Sequence, residues 1–253
     1  MRITIGVKSA ALLALCALCA PSAARADQRS FVRSYEFQTQ PKGNLELEIW
    51  NDVEPPKGAF SDAVITHRLE LEYGVTDRWD AALYHVFAQG GPAGADDRGF
   101  HFDGWRLESR YRLAERGEWP IDVMLYLEAE RPANFDNPWE AEGKLILQRD
   151  FGRLALVANF VAETKLARGP RGGHNWEVDL GVRYELAPWI RVAGEVWGIQ
   201  QVEGGTGDTT TAYYAGPSVM LAAKKFWIQL GAGVGLTDTA SAMQLRSVIG
   251  FNL

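Results

Sequence analysis

Cysteine is scarce in this chain: two in 253 residues, Cys16 and Cys19, both inside one apolar run near the N-terminus. Downstream there is none, which excludes a disulfide framework, a thiolate nucleophile and a cysteine-ligated metal there. Long apolar stretches are equally scarce. After the N-terminal run no segment approaches the ~20 apolar residues of a spanning helix, so a helical membrane domain is excluded. Positive charge is in the minority, with 26 Lys and Arg against 32 Asp and Glu. An acidic chain carries none of the basic footprint of a nucleic-acid binder.

What is present begins with an address. Arg2 and Lys8 precede "AALLALCALCA" (10–20), Pro21 breaks the run, and "ARA" (24–26) ends in a small residue. This is the pattern of a secretory signal peptide over residues 1–26, cleaved near Ala26. Leu15 and Leu18, rather than small residues, precede the two cysteines, which argues against a lipid anchor. Removing Arg2, Lys8 and Arg25 with the signal leaves 23 basic against 32 acidic residues, a net charge of −9.

The rest of the chain alternates. In "NLELEIW" (44–50), Leu45, Leu47 and Ile49 fall on one face and Glu46 and Glu48 on the other. "ITHRLELEY" (65–73), "WRLESRYRL" (105–113), "IDVMLYLEAE" (121–130), "NWEVDLGVRYEL" (175–186) and "MQLRSVIGFNL" (243–253) repeat the design. Period-2 alternation means strands with one apolar and one polar face. About twelve such runs are legible, with ten or fourteen as alternatives, each near the length of a tilted bilayer-crossing strand. Their expected boundaries are 43–53, 62–73, 79–88, 104–113, 120–130, 140–150, 153–163, 175–186, 189–201, 211–223, 226–236 and 243–253. Short connections such as "GVTDR", "DFG" and "KK" alternate with longer ones rich in Gly, Pro and Asp. The expected fold is an all-β transmembrane antiparallel barrel over 43–253, with an N-terminal periplasmic segment at 27–42 and periplasmic short turns. "FVRSYEFQTQ" (31–40) reads equally as a periplasmic tail, a short extra strand or part of a plug.

Aromatics are expected to form two interface rings. One holds Tyr73, Trp79, Trp119, Tyr184, Trp189, Phe226 and Trp227 beside the short turns. The other holds Trp50, Trp105, Trp139, Trp176, Tyr213 and Tyr214 beside the longer loops. A soluble β-sandwich or closed soluble barrel would also alternate. It would have to bury the dense charge of the polar face in a dry core, which is costly. In a membrane barrel that face lines the lumen instead.

The last strand resembles the C-terminal signature of bacterial outer-membrane β-barrel proteins. Leu245, Ile249, Phe251 and Leu253 share a face, although the family usually ends in Phe and this chain ends in Leu253. The resemblance implies assembly by the barrel-assembly machinery in the outer membrane of a Gram-negative bacterium, in contact with its lipids and lipopolysaccharide. "QPKGNLELEIW" (40–50) and "LEYGVTDRWDAAL" (71–83) are similar to segments of a loosely defined group of outer-membrane barrels. That group includes proteins associated with aromatic-degradation pathways and described as transporters, so the resemblance implies transport.

Three functions compete. The first is passive or facilitated passage of small solutes through a charged lumen. Its path is Glu46, Arg68, Glu70, Glu72, Asp80, Arg106, Glu108, Arg110, Arg112, Asp122 and Glu128. Hairpin registers read from the turns place Glu72 opposite Asp80 with Arg112 relieving them. They also place Arg112 near Asp122, Arg106 near Glu128 and Glu46 toward Arg68. The second is a lipid-modifying hydrolase using Ser109 and His85, with His67 folded directly opposite His85 on the lipid-facing side. No Asn, Asp or Glu is evident on that face to orient the base, as such chemistry requires, and two histidines without a third ligand make a weak metal site. The third is a structural barrel with a closed lumen. Asp96, Asp97 and Asp103 are loop acids able to hold a divalent cation. No cofactor is expected.

Overall fold

The computed structural model describes residues 28–94 and 98–253. The signal peptide, Cys16, Cys19, Ala26, Asp96 and Asp97 lie outside the described residues. Twelve antiparallel strands form one closed barrel. They are β1 (Leu45–Glu54), β2 (Val64–Thr76), β3 (Trp79–Gly90), β4 (His101–Arg112), β5 (Asp122–Pro132) and β6 (Glu140–Phe151), followed by β7 (Leu154–Lys165), β8 (Gly173–Ala187), β9 (Ile190–Glu203), β10 (Thr209–Ala222), β11 (Phe226–Gly235) and β12 (Met243–Asn252). Each strand pairs with its sequence neighbours, and β1 closes on β12 with Leu47 opposite Phe251. Closure removes every sheet edge, so the wall leaves no strand unpaired in lipid. Among the described residues, the longer loops carry two short 3₁₀ turns, Phe60–Asp62 and Gly169–Arg171.

Alternation sets the two faces. Leu69, Leu71, Leu83, Leu107, Leu125 and Leu127 stand exposed on the outside, while Glu70, Glu72, Asp80 and Glu108 of the same strands are buried inside. A soluble protein would reverse this arrangement; a lipid-facing exterior requires it. Tight turns join the strands at one end. Phe151 pairs with Leu154 around Gly152, whose φ of +64° is a left-handed conformation that a side chain resists.

Three bulges adjust the sheet, one of them at Leu186 between β8 and β9. Gly74 pairs with Asp80 but Thr76 with Trp79, so Val75 is an extra residue. Val86 pairs with Gly104 but Phe87 with Phe102, so Asp103 is another. The bulge at Asp103 reverses parity and keeps both Phe102 and Trp105 on the outer face. Three aromatics expected in the interface rings point inward instead. Trp50, Trp227 and Tyr214 are buried in the lumen, because they share parity with Glu48, Gln229 and Ala212 rather than with the outward residues beside them.

Candidate functional site

The lumen is the site, and it is occupied. The segment expected to be periplasmic lies inside the barrel: residues 28–37 are almost entirely buried, and none of 28–40 is strand. Of the three readings of 31–40, the plug is the observed one. It enters at the short-turn end, turns over at Val32–Ser34 near mid-lumen, and returns to the same end. Both feet are visible in its contacts. The Gln28 carbonyl accepts Arg191 Nη1 at 3.3 Å, and Thr39 Oγ1 donates to the Asp77 carbonyl at 3.0 Å. The two legs are stitched together by Gln38 Nε2 to the Gln28 carbonyl (2.9 Å) and by the Ser30 N–H to Glu36 (3.0 Å).

Wall side chains, rather than a strand ladder, hold the plug. Glu195 on β9 accepts the successive N–H groups of Val32, Arg33 (3.0 Å) and Ser34 (2.9 Å), with the Ser34 hydroxyl at 3.1 Å. Successive backbone N–H groups of this kind form a concave anion seat, and here the anion belongs to the wall. Asn159 brackets Tyr35 on both sides, accepting its N–H at 2.6 Å and donating to its carbonyl at 3.0 Å. Gln148 takes the Phe37 N–H at 2.8 Å and Asp80 the Gln40 N–H at 2.8 Å. Arg33 forms a two-pronged pair with Glu177, at 2.5 Å for both prongs. Charge-assisted bonds of this type contribute ~1.5–3 kcal/mol each.

Apolar packing adds to this. Tyr35 and Phe37 join Met124, Tyr126 and Ile146 in one interior cluster, and Val32 joins Trp197, Tyr214 and Ala240 in another. Two inward glycines serve as seats. A Cβ on Gly181 would lie 2.5 Å from the Phe31 ring, and one on Gly231 would lie 2.2 Å from a Val32 methyl.

All eleven residues expected to line the lumen lie on its side of the wall, but their pairing differs by about one residue pair. Glu72 faces Ala82, while Gly74 faces Asp80. The bulge at Val75 and a turn at Asp77–Arg78, one residue later than the turn centre expected, cause the shift. The cation between Glu72 and Asp80 is therefore Arg110, not Arg112: it reaches Asp80 at 2.8 Å, Glu108 at 3.1 Å, and Glu72. Arg112 sits at the rim, bonded to the Asp77 carbonyl, with Glu115 3.7 Å away. Asp122 caps the Gly117 N–H at 2.6 Å instead of meeting Arg112. Glu46 faces Glu72 and accepts from Trp227 and Gln40, while Arg68 pairs with Asp52. Arg106 does meet Glu128 at 3.2 Å, and also Glu130 at 2.7 Å.

The histidine pair does not form. His67 faces Phe87 and His85 faces Leu69. His67 contacts Asn51 at 2.7 Å and Gln89 at 3.2 Å, and its ring lies 5.7 Å from that of Phe100. Ser109 pairs with Ala81, four positions along the ladder from the His85–Trp105 pair. At ~3.4 Å per residue that is about 14 Å, against the ~3 Å a general base needs. The Ser109 hydroxyl accepts Trp79 Nε1 at 2.9 Å. Ser109 and His85 therefore form no Ser–His unit, and the side chain beside His67 that expectation had not placed there is Asn51.

Sequence reasoning missed the plug's partners, Glu195, Asn159, Gln148 and Glu177. All four lie inward on their strands, so parity alone would have added them to the lumen. It also missed the space beyond the plug. At the long-loop end a cavity of about 270 Å³ opens above Arg33, lined by Glu54, Glu163, Asn175, Gln201 and Thr210 among others. The fully buried wall charges are unbalanced. Ten acids, from Glu46 to Glu195, stand against two arginines, Arg110 and Arg191, among the described residues.

A family described as "Family of unknown function (DUF6662)" matches residues 23–237. No curated protein matches the chain. Several solved structures share the fold. One is the NanC porin, at 11% identity and a TM-score of 0.60 over 82% of this chain and 100% of that one. The COG4313 outer membrane channel from Pseudomonas putida F1 shows 13% and 0.63 over 88% and 100%. The KdgM porin in complex with disordered oligogalacturonate shows 9% and 0.57 over 82% and 99%. At these identities the likeness is one of fold.

Proposed function

The chain belongs to the DUF6662 family, a family of unknown function, and from that premise we propose that it is a gated outer-membrane channel for small solutes. The observation that carries this reading is how the lumen is closed. Wall strands hold one another through continuous backbone ladders, but residues 28–40 are tied by side-chain bonds to Glu195, Asn159, Gln148, Glu177 and Asp80. The segment can leave without breaking one ladder bond of the barrel. A cavity already waits on its far side. The porin and channel descriptions of the similar structures support passage.

Under this reading the short-turn end faces the periplasm, and outer-membrane lipids, lipopolysaccharide and the barrel-assembly machinery are the partners. The solute path runs along the acid-rich wall that the plug covers. The acid excess disfavours polyanions. If the resemblance to barrels associated with aromatic degradation extends to cargo, an aromatic amine suits this lumen better than an aromatic carboxylate.

A second reading is favoured by one observation. Tyr35 and Phe37 are packed with Met124, Tyr126 and Ile146 as in a permanent core, which suits a structural barrel with a closed lumen. Planar-bilayer recording separates the two. The full chain should show rare openings, and a variant lacking residues 28–40 should conduct steadily. A folded variant that lacks the segment and still carries no current would leave the structural barrel as the answer.

A further inference from the structure

The plug closes the lumen partly by presenting two cations to it. Arg29, at the short-turn side, lies between Glu48 and Glu70, with Nε 3.3 Å from Glu48 and Nη2 3.7 Å from Glu70. Its guanidinium carbon sits 4.6 Å from the Trp50 ring centroid and 4.5 Å from that of Tyr35. The wall contributes Glu48, Glu70 and Trp50; the plug contributes only Arg29 and Tyr35. Trp50 is held in place independently of the plug, because its Nε1 donates to Glu70 at 2.9 Å. Two carboxylates and a fixed aromatic face are the elements of an organic-cation site.

Arg29 does not use this site fully. Its Nη2 stays 3.7 Å from Glu70, beyond hydrogen-bond reach, although both acids are 0% exposed. The tethered arginine thus makes one hydrogen bond to the pair, through Glu48, and an untethered cation can approach both acids. The second site is similar in kind. Arg33 is gripped by both oxygens of Glu177, remains 30% exposed toward the cavity, and has buried Asp179 two residues along the same face.

Charge gives the same direction. Around the first site stand Glu46, Glu48, Glu70, Glu72, Asp80 and Glu108, against Arg29 and Arg110. Arg68 and Arg246 are both engaged by Asp52. When the plug withdraws, Arg29 leaves with it, and seven carboxylates, Asp52 included, face Arg110 and the two arginines over Trp50, Arg68 and Arg246. Buried carboxylates in that number require a replacement cation.

Resting on the gated-channel reading, we propose that Arg29 and Arg33 are built-in stand-ins for the solute. The sites they occupy, Glu48–Glu70–Trp50 and Glu177–Asp179, are the two binding stations of the open lumen, and the solute is a small organic cation bearing a guanidinium or primary ammonium group. Binding such a cation displaces the arginine it mimics, so the solute favours the open state of its own channel.

The test uses the full chain carrying one substitution, Val32→Cys, at a buried position of the plug, with agmatine as the probe. Labelling of that thiol by a water-soluble maleimide reports plug release whether or not current flows. Agmatine at millimolar concentration should raise the labelling rate severalfold, with potassium chloride at equal ionic strength and glucuronate leaving it unchanged. Adding Glu48→Gln, or Glu177→Gln in a separate chain, should weaken the response to agmatine. An equal response to potassium chloride, or none to agmatine, would overturn the assignment. Bilayer recording of the same protein distinguishes the two levels. Labelling that responds to agmatine without conductance rejects passage and keeps the cation stations, whereas conductance without the response does the opposite.

Discussion

Two arcs of the wall adjoin where β1 closes on β12, and both border the plug. The arc β1–β4 is crowded with ionisable side chains, Glu46, Glu48, Glu70, Glu72, Asp80, Arg106, Glu108 and Arg110 among them. The arc β10–β12 presents Met220, Trp227 and Val248 in one apolar cluster, with Ser218, Gln229 and the bare backbone of Gly231 and Gly233 beside it. The first arc is held by opposite charges taken out of water, where removing one partner leaves the others exposed to their own repulsion. The second is held by shape: a Cβ on Gly233 would lie 2.0 Å from the Trp197 ring, and one on Gly250 would lie 2.2 Å from Trp227 Nε1. One arc therefore recognises the plug by charge and the other makes room for it.

The largest effects should come from breaking each arc at its centre. Arg110→Leu leaves Glu72, Asp80 and Glu108 without their shared cation and should lower barrel stability by ~3–5 kcal/mol. Trp227→Ala opens a cavity and should lower it by a similar ~3–5 kcal/mol. Denaturant midpoints in lipid vesicles measure both. The arcs differ in rescue: Glu72→Gln with Asp80→Asn should recover most of the loss from Arg110→Leu and none of that from Trp227→Ala. Equal rescue in both would erase the distinction.

Next comes Gly231→Leu, which fills the Val32 seat. Overpacking of ~1–3 kcal/mol directed at the plug raises its open population by about tenfold or more. Single-channel open probability would show this, and an unchanged closed fraction would mean that the seat does not hold the plug. Glu195→Gln is milder. An amide keeps one acceptor oxygen of the two that gather the N–H groups of Val32, Arg33 and Ser34, and should loosen the plug by ~1–2 kcal/mol, read as faster labelling of Val32→Cys. The smallest effect is Ser109→Ala. It removes only the acceptor for Trp79 Nε1, should change stability by no more than ~0.5 kcal/mol, and should leave phospholipid hydrolysis at the background of the parent protein. Hydrolysis that disappears with Ser109 would revive the enzyme reading.

The charged arc was largely legible in the sequence and the other arc was not. Strict alternation located all twelve strands within about three residues and assigned Glu46 through Glu128 to the inside. It failed on pairing because the turn at Asp77–Arg78 and the extra residue Val75 carry no marking in composition, yet together they set every pair between β2 and β3. Trp50, Tyr214 and Trp227 were drawn to the interface rings by their place at strand ends, although their parity pointed inward; here parity was the better guide. The plug was only one of three readings because its partners lie far along the chain. Glu195 is 161 residues from Ser34, and Asn159 is 124 from Tyr35. No local periodicity encodes such contacts. The one local trace is a pair of inward glycines, Gly181 and Gly231, where a barrel wall would ordinarily place a side chain.

The plug is also joined to its own doorway. From Gln40, whose N–H is held by Asp80, only residues 41–44 intervene before Leu45 enters β1. Four residues reach at most ~14 Å, so a withdrawn segment stays beside the mouth it left. Its effective concentration there is of millimolar order, as for any ligand on a short flexible tether. A free solute competes with that local concentration and not with a distant inhibitor. A gated channel built this way would answer to solutes abundant enough to win at millimolar levels, and would reclose without a partner once they are exhausted.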